Sequence, residues 1–459
     1  QSDGVFGGVV GGVQPLAALN LAATVSLDEA RVTTTGGQTY AGAATLTGDS
    51  VLTGSLVRFG GAVDGAGALA IAGDASFAGN IGDTAAPGAL TIAGDTALAG
   101  ERVSTVSLQN YGGAVTLAHD ATLSAPTLTF GGAIDGAYTL TLDGAATLGG
   151  AMGAVTPLAG LVSKGATTLA TTGIVTTGAQ TFDGVFALGA DATLTGSLIT
   201  FTGAVDGAQA LSVAGNAAFA GAVGQTAPLR SLAVSGEAAL DGGAYTTTGG
   251  QQFGGAVTLG ADTSLTAESV TFAGTLNGAH ALVVNGHTGG SSLVHAAALG
   301  DPTVGFGGAV GEAQALTSLV VNGASSIGGS SVTTSGTQMW NGAVTLAADV
   351  KLAATKVTFA QTVDGEKNLE IAGDAVLGGV IGGVSPLAAF SVAGDTQFDA
   401  GGVATTGAQT YGGAVTLGTD VAITASAGSV TFNGAIGSPA NAGLTVAAPT
   451  GFVAFYAGI

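Results

Sequence analysis

Residues 175–243 read VTTGAQTFDGVFALGADATLTGSLITFTGAVDGAQALSVAGNAAFAGAVGQTAPLRSLAVSGEAALDGG. Large apolar residues mark this stretch at Phe182, Phe201, Phe219 and Leu240, and Phe253 follows. The steps between them are 19, 18, 21 and 13. The same four steps connect Tyr40, Phe59, Phe77, Leu98 and Tyr111, and then Tyr111, Phe130, Leu148, Leu169 and Phe182. They connect Trp340, Phe359, Leu377, Phe398 and Tyr411 as well. A spacing set repeated four times is a structural period, and periods of this kind mark repeat architectures.

Working outward, related units start near Val32, Val103, Val175, Thr246, Val332 and Val403. This divides one continuous array into residues 1–31 (a half unit), 32–102, 103–174, 175–245, 246–331, 332–402 and 403–459 (partial). The unit at 246–331 departs from the set. Phe272 to Phe306 is 34 residues where 18 is expected, so about 16 residues are inserted around HTGGSSLVHAAALGDPT. The expectation there, for residues of about 283–305, is one extra coil or a protruding loop.

Within a unit the local period is two. Leu211, Val213, Gly215, Ala217, Phe219, Gly221 and Val223 alternate with Ser212, Ala214, Asn216, Ala218 and Ala220. Strict alternation places one set inward and the other toward solvent. The recurring aromatic-x-Gly pattern, as in Phe253-Gly254-Gly255, suggests rings lying over bare backbone. Asp64-Gly65, Asp135-Gly136, Asp206-Gly207, Asn277-Gly278 and Asp364-Gly365 mark turns. Short strands at a turn of roughly 18 residues predict a β-solenoid, in which each coil completes its core only by stacking on its neighbours. The expected fold is all-β, a right-handed parallel β-helix of about six 71-residue units. At about 4.8 Å per coil, roughly 25 coils would give a rod on the order of 120 Å. The inward set comprises Tyr40, Phe59, Phe77, Tyr111, Phe130, Phe182, Phe201, Phe219, Phe253, Phe272, Trp340, Phe359, Phe398, Tyr411 and Phe432. The 13-residue step is either a short coil or a landmark on another face.

Composition excludes several alternatives. Of 459 residues 83 are Gly, 9 are Pro and only 8% are charged. Collagen needs Gly at every third position with abundant Pro, and a disordered chain needs low hydrophobicity and high charge, against 46% hydrophobic residues here. Eight Lys and Arg against 29 Asp and Glu give a net charge of −21, which supplies no basic footprint for nucleic acid. The absence of Cys excludes disulfides and thiolate metal sites. Mean hydropathy is +0.55, yet the uncharged stretch after Asp420 carries too much Gly and Pro for a spanning helix, so no transmembrane segment is expected. No signal peptide is visible at Gln1-Ser2-Asp3.

The repeat resembles the long Gly/Ala/Thr-rich arrays of bacterial surface exoproteins, the filamentous-haemagglutinin-like and β-strand-repeat adhesins. That resemblance covers essentially the whole chain. It implies a right-handed parallel β-helix, secretion to the cell surface, and roles in adhesion or matrix building. The N-terminal secretion module of that family is not recognisable here.

Candidate chemistry is sparse. The carboxylates at Asp64, Asp135, Asp206 and Asp364, and at Asp74 and Asp374, recur in register. They could hold calcium, but the Gly-Gly-x-Gly-x-Asp calcium signature is absent, and turn chemistry within their own backbone is the reading taken. His119, His280, His287 and His295 fit no metal motif. Thr ladders at 32–35 and 246–248 could face outward as in ice-binding solenoids, against the plainer reading of β-branched strand filler. A catalytic carboxylate pair would have to break the repeat, and most acids obey it. No cofactor, metal or catalytic residue is expected, and the partners considered are other copies of the chain, divalent cations bridging an acidic surface, and cell-surface glycans. The leading expectation is an extracellular, cell-surface structural protein that builds a filament, sheath or surface layer. An adhesin stalk is the second reading and a polysaccharide-active solenoid enzyme the third. The two ends of the sequence stop at about the same point of the cycle and lack polar caps. This predicts head-to-tail contact of Val5, Phe6, Val9 and Val10 with Phe452, Phe455 and Tyr456 of another copy by strand pairing.

Overall fold

A computed structural model describes residues 4–286 and 304–457. The described residues contain no helix. They wind as a parallel β-solenoid of about 23 turns, formed of short strands whose inward positions alternate with solvent-facing ones. One turn consists of three strands. Thr96–Leu98, Arg102–Ser104 and Leu108–Tyr111 complete a turn, and Val115–Leu117 then lies in register on Thr96–Leu98. Each strand is too short to be stable alone, and the ladder to the coils on either side supplies its backbone partners.

This resolves the 13-residue step. Leu98 pairs with Leu117, not Tyr111, and Tyr111 pairs with Ile92. Tyr111 therefore sits two strands farther round the turn, on another face. A 71-residue unit makes three turns and two strands of the next, rather than four turns, so a turn is longer than expected and there are fewer of them than 25. Successive units consequently start on different faces.

The chain divides into two compact units, Gln1–Gly221 and Ala222–Ile459. In the first, one inward column runs Val10, Val32, Leu52, Ile71, Ile92, Tyr111, Phe130, Leu148, Leu169. A second runs Leu21, Tyr40, Phe59, Phe77, Leu98, Leu117. A third ends Ser163, Phe182, Phe201, Phe219. The three aromatic stacks thus occupy three different columns. Their rings lie nearly parallel at 5.1–5.5 Å, for example Tyr40–Phe59, Tyr111–Phe130 and Phe182–Phe201, within the range in which stacked rings attract.

The second unit repeats the arrangement. Phe253, Phe272 and Phe306 form one column, Trp340, Phe359, Leu377 and Phe398 another, and Tyr411, Phe432 and Phe455 the third. All fifteen sequence landmarks are buried. The inward residues at the head of each unit are Val32, Val103, Ile174, Tyr245, Val332 and Val403, all buried.

Two expectations about glycine need correction. Gly215 is in phase with Leu211 and Phe219 but is not part of the core. It occupies a bend with φ of 154°, where the ladder register shifts, and a side chain there would strike the Gly196 carbonyl. Gly255 does not sit under a ring either. It forms the corner between Gln251–Phe253 and Val257–Leu259, and its missing Cβ makes room for the backbone of Gly236 one coil away. The glycines of the aromatic-x-Gly pattern thus permit coils to stack at their corners.

The lengthened turn is also placed by its flanks. Val270–Phe272 pairs directly with Val304–Phe306, and the Phe272 and Phe306 rings stack at 5.5 Å. No additional rung of the ladder separates them, so the extra-coil alternative does not hold at this column. The remaining expectation, a protruding loop, falls on residues 287–303, which lie outside the described residues.

Candidate functional site

The recurrent carboxylates hold backbone, but not their own. Asp64 Oδ1 accepts hydrogen bonds from the amides of Thr84 and Ala85 at 2.8 and 3.3 Å, one coil on. Asp135 does the same for Val155 and Thr156, and Asp364 for Val384 and Ser385. Asn277 takes this role for Ala313 and Gln314. Each pair anchors a short surface loop that opens on a glycine with positive φ (Gly82, Gly153, Gly311, Gly382). Asp74 and Asp374 accept from the amides of Asp95 and Asp395. The turn-chemistry expectation is therefore corrected in its partner: the carboxylates link successive coils. Loop tips project from the surface, and Val155 and Val384 are each 86% exposed.

A second constellation was not anticipated. Gln38, Gln109, Gln180, Gln251, Gln338 and Gln409 are all buried. Gln109 Nε2 donates to Val103 O in its own coil and to Ser124 O in the next, both at 3.0 Å. The other five make the equivalent pair of bonds. The next-coil carbonyls of Thr53, Ser124, Thr195, Thr266 and Ala353 already accept from the backbone amides of Thr34, Thr105, Thr176, Thr247 and Thr334, so the Gln amide adds a second donor to each and ties the two coils together from inside the wall. Thr34, Thr176, Thr247, Thr334 and Thr405 complete the corner. Each is buried and donates its hydroxyl to the carbonyl two residues on. Within the threonine segments at 32–35 and 246–248, Thr34 and Thr247 point into the wall, while Thr33 and Thr246 face outward and pair with Thr53 and Thr266 on the next coil.

The aromatic two residues after each Gln decides whether this corner is complete. Tyr40, Tyr111 and Tyr411 donate their hydroxyls to the Gln Oε1 at 2.9–3.0 Å. Burial pushes these phenols upward from the usual tyrosine range, so they remain neutral donors. Phe182, Phe253 and Trp340 replace Tyr in the other units, and there Gln180, Gln251 and Gln338 Oε1 have no partner. The sequence signal, a Gln two residues before each first landmark, is visible once the rings are aligned.

The remaining candidates are dispersed. His119 lies 5.9 Å from the Tyr138 ring, and His280 Nδ1 lies 3.6 Å from Asp262 Oδ1. His287 and His295 fall outside the described residues. Among the described residues no group of three or more metal-ligating side chains converges, and no helix is long and apolar enough to cross a membrane. Of the residues expected at a subunit contact, Val5, Val9, Phe452, Phe455 and Tyr456 are exposed, while Phe6 and Val10 are half-buried. The Phe455 ring stacks on Phe432 at 5.1 Å and is 41% exposed. Comparison of the chain with family models, curated proteins and solved structures finds no match.

Proposed function

We propose that this chain is an extracellular structural protein of the cell surface, whose coils stack on those of further copies to build a filament, sheath or surface layer, and that it is not an enzyme. The observation that carries this reading is the self-complementarity of the coils. Any turn presents parallel backbone edges, an inward aromatic or aliphatic column and corner glycines that fit the turn above, as in the Tyr411–Phe432–Phe455 stack. A turn from a second copy could be received by the same rules, through exposed strand edges, with Val5, Phe6, Val9 and Val10 meeting Phe452, Phe455 and Tyr456. The recurrent polar groups are engaged in holding coils together rather than converging on a cleft. A parallel solenoid with a strongly acidic surface suits a secreted scaffold, as the resemblance to surface exoprotein arrays implies.

The exposed loops at Val155 and Val384 favour a second reading, a stalk that carries adhesive contacts, for which surface loops on a stiff scaffold are suited. Electron microscopy with sedimentation velocity separates the two. Periodic polymers that disappear on Phe455→Asp, with the β-sheet circular dichroism unchanged, support assembly. Single particles at all concentrations favour the stalk, and turnover of a polysaccharide would contradict both.

A further inference from the structure

Five asparagines in the chain are followed directly by glycine: Asn277, Asn285, Asn322, Asn341 and Asn433. Asn-Gly is the dipeptide most open to spontaneous deamidation, because glycine has no side chain to obstruct its own nitrogen. The deprotonated Gly nitrogen attacks the Asn Cγ and expels ammonia to close a succinimide. Water then opens the ring to aspartate or to isoaspartate, whose main chain runs through Cγ. The reaction needs a mobile Asn side chain and an unengaged Gly nitrogen, and the solenoid supplies these very unequally.

Four of the five sites are held. Asn285, Asn322 and Asn341 stand above one another on successive coils and form an amide ladder. Asn341 Nδ2 donates to Asn322 Oδ1 at 2.6 Å, and Asn322 Nδ2 donates to Asn285 Oδ1 at 2.8 Å. Asn285 Nδ2 in turn donates to Thr266 Oγ1 at 3.3 Å. Rotating Asn322 toward Gly323 would break both of its ladder bonds. At Asn277 both reacting groups are occupied: Oδ1 accepts from Ala313 and Gln314, and the Gly278 amide donates to Gln314 O.

Asn433 differs from all of these. It is exposed at the corner after Val430–Phe432, and its side chain makes no hydrogen bond among the described residues; the Gly434 nitrogen, like those of Gly323 and Gly342, donates to no backbone acceptor among the described residues, so the free side chain is what sets this site apart. We infer that Asn433-Gly434 is the chain's site of spontaneous backbone modification, and that the Asn285–Asn322–Asn341 ladder protects the three Asn-Gly pairs it contains. Conversion would add a carboxylate to an already acidic surface. The isoaspartyl form would also lengthen a corner where Gly434 lies against the backbone of Gly413.

The test is peptide-mapping mass spectrometry with isoaspartate detection on the full chain, aged in mildly alkaline buffer both folded and in urea. In the folded protein Asn433 should convert about tenfold faster than Asn322, the factor expected when a motion must break one or two additional hydrogen bonds. In urea all five sites should converge on similar rates. Asn322→Leu should raise conversion at Asn341, which loses its only ladder acceptor, toward that of Asn433. Should that variant fail to fold, the folded-against-urea comparison on the native chain decides alone. Equal rates at the five sites in the folded chain, or a ladder asparagine converting ahead of Asn433, would overturn the inference.

Discussion

Replacing Phe253 with Tyr should tighten the chain locally. Gln251 Oε1 is buried without a partner, whereas the equivalent oxygens of Gln38, Gln109 and Gln409 each accept a tyrosine hydroxyl at 2.9–3.0 Å. The surroundings favour the exchange. Val257 follows Phe253 on the next strand, as Val115 follows Tyr111 and Val415 follows Tyr411. At Phe182 the corresponding residue is Phe186, whose ring lies 4.5 Å from that of Phe182, so a new hydroxyl there competes with a packed ring. Satisfying a buried acceptor is worth about 1 kcal/mol, or roughly fivefold in local opening. Amide hydrogen exchange around Gln251–Phe253 should therefore slow about fivefold in F253Y, and less in Phe182→Tyr. Tyr111→Phe should accelerate exchange around Gln109 by a similar or larger factor, because it strands an acceptor. A solenoid opens coil by coil, which makes exchange a more direct readout than a global midpoint. If F253Y left exchange unchanged while Phe182→Tyr slowed it, the account of the polar corner would fail.

Other expectations follow from the same geometry. Gly221→Val would drive a side chain into the backbone of Gly203 and should cost about 3 kcal/mol or more, read as a lower urea midpoint or as insoluble protein; a neutral result would contradict the corner-stacking role. Asp64→Ala should lose about 1 kcal/mol of local stability and speed exchange at Thr84 and Ala85, while Asp64→Asn should be nearly silent because it keeps the acceptor, as Asn277 does. Deleting residues 287–302 should leave circular dichroism and the fluorescence of Trp340 unchanged, since the ladder already runs directly from Phe272 to Phe306; loss of folding would show that the segment is integral to the stack.

The sequence made the architecture legible because a parallel stack repeats its constraints. Each ring at Phe182, Phe201 and Phe219 must lie over the last, and alternation at Leu211–Val213 reports the wall directly. What it hid was geometry in the third dimension. Spacing cannot tell a short coil from a step to another face, so the position of Tyr111 relative to Leu98 needed the ladder register. Glycine was read as accommodating rings because it adjoins them in sequence, whereas Gly255 meets Gly236 from the next coil. Asp64 and Gln109 were obscured for the same reason: the bonds by which they link coils run to Thr84 and Ser124, 20 and 15 residues away, beyond the reach of local turn rules.

The central claim is the register, three strands per turn with each 71-residue unit advancing onto a new face. Engineered cysteine pairs test it cleanly, because the chain has no cysteine of its own. Ala97 and Thr116 are outward-facing neighbours on adjacent coils, at a separation of about 4.8 Å expected for paired strands and within the range a disulfide spans. Ala97 and Asn110 occupy different strands of one turn, and Asn110 pairs with Thr91. Mild oxidation should close a disulfide in the Ala97→Cys/Thr116→Cys protein and leave Ala97→Cys/Asn110→Cys reduced. Efficient closure of the second pair in place of the first would mean that the 13-residue step is a short coil after all, and would contradict the account.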